Sequence, residues 1–107
     1  MAAVDDADDC PQVQVPVGAL AREIAIVNKK GLHARASAKF VQTVERFDAD
    51  VTVTRCGETV GGRSIMGLLT LGAAQGTTIT VVAEGEDADA CLDAISNLLA
   101  ERFGEDE

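Results

Sequence analysis

His33, the only histidine of the chain, stands in Gly31-Leu32-His33-Ala34-Arg35, where a polar loop passes into residues with helical apolar spacing. A solvent-accessible imidazole has an ordinary pKa of about 6.5, so near neutrality part of it is uncharged and offers a ring-nitrogen lone pair as a nucleophile. The first turn of a helix leaves backbone N–H groups without partners, and with the helix dipole they favour an anion. Arg35, two positions on, adds planar charge-assisted donors. These parts suit a phosphoryl group carried on His33, because phosphoryl transfer needs in-line positioning and stabilised charge on the equatorial oxygens. Spacing alone does not separate such a site from an ordinary surface histidine at a helix start.

Ser64 is the second residue of interest. It follows Gly61-Gly62-Arg63 and opens a short apolar run, so by itself it reads as a helix N-cap stabilising that helix by roughly 1 kcal/mol. Cys10, Cys56 and Cys91 are odd in number and widely separated, with no C-x-x-C pair and no metal-ligand spacing. They read as reduced thiols without a metal role, Cys56 in a turn and Cys91 on an apolar helical stripe.

The elements that must hold these residues follow from periodicity. Arg22 to Val27 is strand-like, with Ile24 and Ile26 on one face; Ala36, Phe40, Val44 and Phe47 then mark an amphipathic helix. Asp50 to Arg55 alternates Val51 and Val53 with threonines, and Cys56-Gly57 turns the chain into a return strand over Glu58 to Gly61. Ile65 to Leu71 forms a brief helix ending at Gly72, and Thr77 to Ala83 alternates as a fourth strand. Asp87 caps a last helix whose stripe is Ala88, Cys91, Leu92, Ile95, Leu98, Leu99 and Phe103, with Gly104 as its stop.

The resulting order, β-α-β-β-α-β-α, predicts an α+β fold: an open-faced two-layer β-sandwich with a four-stranded, mostly antiparallel sheet. Three helices lie on one face, and the threonine-rich outer face is expected to be wet. Residues 1–19 hold Asp5, Asp6, Asp8, Asp9, Pro11 and Pro16 without an apolar period. They read as a disordered acidic N-terminal tail before a domain over 20–107.

Composition narrows the function. The formal charge of -9 disfavours binding to nucleic acid or an anionic membrane, since both draw on cations that neutralise phosphates. No apolar run approaches the roughly 18 to 20 residues of a membrane span, and no signal-peptide pattern opens the chain, so the expected location is cytoplasmic. With 47% apolar residues but only three Phe and no Trp or Tyr, the core is expected to be small and aliphatic. One histidine without a carboxylate partner or nucleophile motif argues against a stand-alone acid-base or hydrolytic enzyme.

The stretch Gly31-Leu32-His33-Ala34-Arg35-Ala36-Ser37-Ala38-Lys39-Phe40-Val41 resembles the active-site segment of HPr, the histidine-containing phosphocarrier of the bacterial phosphoenolpyruvate-dependent phosphotransferase system. Arg63-Ser64-Ile65-Met66-Gly67-Leu68-Leu69-Thr70-Leu71-Gly72 is similar to the second signature of that family, and the resemblance spans residues 20 to 103. The Ala36-Ser37 variant resembles the nitrogen-regulatory type. Many members carry proline where this chain has Ala36, which implies a slightly looser first turn and tuned kinetics.

The resemblance implies that His33 is phosphorylated on Nδ1 by enzyme I, with phosphate drawn from phosphoenolpyruvate, and that it passes the group to an enzyme IIA. Arg35 would steady the phosphate. Ser64 aligns with the serine phosphorylated in many members by HPr kinase/phosphorylase, and Ile65, Met66 and Leu69 fall on the surface that meets these partners. The implied protein is a monomeric carrier, without a cofactor, that partner enzymes phosphorylate. A regulatory binding module acting through Ser64 and protein contacts, without phosphate relay, is the alternative.

Overall fold

The structure, a computed structural model, describes residues 10–106. Strands β1 (Leu20–Ala25), β2 (Asp50–Arg55), β3 (Glu58–Gly61) and β4 (Thr78–Glu84) form one sheet in the order β1-β4-β2-β3, every pair antiparallel. Helices α1 (Ala34–Val44), α2 (Ile65–Thr70) and α3 (Ala88–Ala100) complete the predicted order, followed by a short 3-10 turn over Arg102–Gly104. The expected sandwich is present, with β4 inserted last between β1 and β2.

Alternation decides which sheet face carries the helices. Val53 pairs with Val81 and Ile24 with Ile79, and Val53, Ile79, Val81 and Ala83 are fully buried beneath the helices. From α1, Ala36, Phe40 and Val44 enter this core; from α3 come Cys91, Leu92, Ile95 and Leu99. The core is aliphatic apart from Phe40 and Phe103 at its centre.

Several details depart from the sequence expectations. The Asp87 carboxylate does not cap its own helix; it accepts a hydrogen bond from the Asp48 backbone N–H at 2.8 Å and ties the start of α3 to the turn before β2. The last helix ends at Ala100, short of Gly104, because Arg102, Phe103 and Gly104 all adopt left-handed conformations with φ of 57°, 56° and 78°.

A further correction concerns the cysteines. Cys10 and Cys56 are joined in a disulfide across 46 positions, while Cys91 is the buried thiol expected. The pairing arises because residues 11–16 lie over the outer sheet face, a relationship that no local spacing encodes. Pro11, Gln12, Val13, Gln14 and Pro16 face Thr52, Thr54, Thr59 and Val82 there. That face is therefore partly covered, and the second half of the expected tail lies against the domain. The acidic run Asp5 to Asp9 lies outside the described residues.

Among the described residues no helix is long and apolar enough to cross a membrane, and no group of three His, Cys, Asp or Glu side chains is placed to hold a metal ion.

Candidate functional site

The loop between β1 and α1 is shaped by Gly31. Its φ of +66° is costly for residues with a side chain, and a Cβ there would stand 2.4 Å from the Ala73 carbonyl oxygen. The same carbonyl accepts from the Leu32 N–H at 2.9 Å, so Gly31 is where the loop is pressed against the segment preceding β4. Asn28, fully buried, braces the loop from inside: its Nδ2 donates to the Gly31 carbonyl at 2.9 Å and to Glu105 Oε1 at 3.1 Å.

His33 is the N-cap residue of α1, with extended backbone (φ -77°, ψ -179°). Its carbonyl accepts the first helical bond, from the Ser37 N–H at 2.8 Å. The N–H groups of Ala34, Arg35 and Ala36 thus form the open start of the helix beside the imidazole. The ring is partly exposed, and its Nε2 lies 2.5 Å from Glu105 Oε2.

Burial alone would raise the pKa of Glu105. Hydrogen bonds from His33 and Asn28, joined by the positive charges of His33 and Lys30, outweigh it and hold the carboxyl below its ordinary value. An ionised carboxylate accepts only, so Nε2 is the protonated nitrogen. In the neutral ring Nδ1 then carries the lone pair.

Glu105 reaches His33 because of the left-handed run before it. Phe103 is buried and anchors the turn, and its carbonyl accepts from Lys39 Nζ on α1 at 2.5 Å. Residue 105 is thereby turned back over the start of α1. Lys29, Lys30, Arg35 and Lys39 rim the adjoining depression beside Glu105 and Asp106. Arg35 is exposed and makes no ion pair among the described residues, leaving its guanidinium available to an anion.

Ser64 does cap α2: its Oγ accepts from the Gly67 N–H at 2.9 Å, and the residue is exposed. The helix divides its apolar residues as the narrow core requires, with Leu68 and Leu71 buried and Leu69 intermediate. Ile65 is 39% and Met66 71% exposed. Helices α1 and α2 pack against each other, so these side chains share the helical layer with the His33 loop.

Sequence reasoning identified neither Glu105 nor Asn28. Asn28 has a polar side chain with no distinguishing pattern around it, and Glu105 follows Gly104, where the helical period stops. The imidazole–carboxylate pair exists only through the turn at 102–104.

Comparison with known proteins agrees with this architecture. The family profile described as "PTS HPr component phosphorylation site" matches residues 20–101. A phosphocarrier protein HPr of Xylella fastidiosa is 46% identical over 87 residues, covering 81% of this chain and 98% of that protein. A phosphocarrier protein NPr of Shewanella violacea is 43% identical over 86 residues, covering 80% and 94%. Among solved structures, HPr from Thermoanaerobacter tengcongensis superposes with a TM-score of 0.79 at 39% identity, covering 82% of this chain and 99% of that one.

Proposed function

The chain belongs to the HPr family of phosphotransferase-system phosphocarriers, and from that premise we propose that His33 is the residue that carries the phosphoryl group, on Nδ1. The observation that supports this reading is the pairing of Nε2 with Glu105, which leaves Nδ1 as the nucleophilic nitrogen. The Nδ1 lone pair forms the new bond to phosphorus as the bond between phosphorus and the donor breaks, and the donor keeps that electron pair. Transfer onward reverses these roles.

Arg35 and the open N–H groups of α1 then meet the phosphate oxygens, and the lysine rim adds to the positive field around them. The carboxylate of Glu105 balances the positive charge that the ring acquires on transfer. Enzyme I is the donor and an enzyme IIA the acceptor, and the carrier works as a monomer in the bacterial cytoplasm. The exposed Ile65 and Met66, with Leu69 beside them, form the surface against which these partners dock.

Ser64 is the regulatory position. Phosphorylation by HPr kinase/phosphorylase sets negative charge at the head of α2, next to that apolar surface, and weakens docking through repulsion and desolvation. The exposure of Ser64 supports this role.

The test is incubation of the purified chain with enzyme I and labelled phosphoenolpyruvate. Acid-labile label is expected on wild type and lost in His33→Ala; label that survives this substitution rules out His33 as the carrier.

A further inference from the structure

We propose that Cys10 and Cys56 form a reversible thiol–disulfide modification site whose oxidation staples residues 10–16 across the outer face of the sheet and whose reduction frees them. Three features of the structure support this.

The first is position. Cys56 is exposed at the β2–β3 turn, and Cys10 lies ten positions before β1. Neither belongs to the core, whose packing is complete on the other side of the sheet. The bond can open without disturbing the elements that hold His33. Cys10 also precedes the stretch that the family profile matches, so the site belongs to this chain's own N-terminal segment.

The second is what the staple holds down. Val82 points away from the helices and is absent from the core cluster, yet it is only 7% exposed. Pro11, Val13 and Pro16 line one depression on the outer face together with Val82, Thr52 and Thr54, so the segment walls in this part of the sheet. A Cβ on Gly57 would stand 3.4 Å from Pro11, so the segment sits directly on the turn that carries Cys56.

The third is how little else holds it. Among the described residues, no backbone hydrogen bond joins residues 11–15 to the sheet. Beyond the disulfide-bonded Cys10, residues 11–15 lie mostly exposed on the sheet face, and surface packing of that kind is weak against the freedom the segment gains on release.

Closure proceeds by thiol–disulfide exchange with a low-molecular-weight disulfide such as oxidised glutathione. The exposed Cys56 thiolate attacks one of its sulfurs, forming a mixed disulfide and releasing one small thiolate. The Cys10 thiolate then attacks the Cys56 sulfur and expels the second. Two protein thiols are oxidised, the small disulfide is reduced to two thiols, and the two protons end on them. Excess reduced glutathione reverses the sequence. Cys91 stays out of this exchange, because burial, aided by the nearby charge of Asp87, raises its thiol pKa against the opposing charges of Arg63 and Arg46.

The experiment uses the full chain equilibrated in oxidised or reduced glutathione, followed by non-reducing peptide mapping and timed digestion with elastase, which cleaves after the small apolar residues of this segment. The expected result is one intramolecular Cys10–Cys56 linkage in the oxidised protein, with cleavage within residues 11–19 slowed several-fold relative to the reduced protein. Cys10→Ser, which lies outside the core, is expected to be cleaved at the reduced rate under both conditions. Glutathione retained on Cys56, linkage between two chains, or equal cleavage of the linked and reduced forms would each overturn the proposal.

Discussion

Glu105 Oε2 lies 2.5 Å from His33 Nε2 and joins the residue after the 102–104 turn to the start of α1 across 72 positions. The carboxylate fixes both the orientation and the tautomer of the ring. Glu105→Ala is expected to slow phosphoryl acceptance from enzyme I by about 10-fold, the equivalent of one charge-assisted hydrogen bond. Glu105→Gln, which keeps an acceptor oxygen but loses its charge, should fall between the two. Rapid-quench measurement of phosphohistidine formation checks this; unchanged rates in both variants would show that the contact plays no part in transfer.

The same carboxyl makes a pH prediction. Its pKa is lowered in the folded protein, by the His33 and Asn28 hydrogen bonds and nearby positive charge against the opposing effect of burial. A depressed carboxylate contributes stability that is fully present above its unfolded value, about 4.3 for glutamate, and lost as pH falls through the folded value. Urea unfolding followed from neutrality into the acid range should therefore show a loss in wild type that is smaller in Glu105→Gln. Parallel curves would assign the acid loss to other carboxylates.

The contrast between His33 and Glu105 marks how far the sequence reaches. Strands and helices were legible because burial on one face imposes a period: Val51 and Val53, or Cys91, Leu92, Ile95 and Leu99, announce the face they bury. His33 and Arg35 were legible because a helix start is itself a chemical environment. Glu105 was not, since Arg102 and Phe103 adopt left-handed conformations that their residue types disfavour, and the buried Phe103 side chain and Lys39 hold them there. Asn28 was hidden for a related reason, its distant partner Glu105 being brought to it by tertiary packing. The Cys10–Cys56 pair had no local signal either, and the odd cysteine count pointed away from it.

Gly31 is the least replaceable position of the loop. Gly31→Ala meets the left-handed conformation, costing roughly 1–2 kcal/mol, and drives a methyl group into the Ala73 carbonyl. Displacing that segment adds a further cost of roughly 1–3 kcal/mol. The expected result is a clear drop in the urea midpoint together with slower phosphorylation, because His33 moves with the loop. A variant as stable and as active as wild type would contradict this account of the loop.

Ser64 allows capping and regulation to be separated. Ser64→Ala removes the acceptor of the Gly67 N–H and should cost about 1 kcal/mol, with phosphoryl transfer at the active site largely kept. Ser64→Asp supplies an equally good cap, so stability should hold, but its charge beside Ile65 and Met66 should raise the enzyme I concentration needed for half-maximal phosphorylation. If both variants differ from wild type only in stability, Ser64 is a cap alone.

Two neighbours on α2 give opposite expectations that test the docking surface. Met66 is 71% exposed, whereas Leu68 is fully buried. Leu68→Ala leaves a cavity and should cost roughly 2–5 kcal/mol of stability. Met66→Ala should change stability by no more than about 0.5 kcal/mol, yet weaken binding to enzyme I or enzyme IIA by about 10-fold if the side chain is an anchor. Calorimetric titration of each variant with each partner distinguishes the cases. Loss of affinity in Met66→Ala without loss of stability places the partners on this helix; unchanged affinity for both moves their docking site elsewhere.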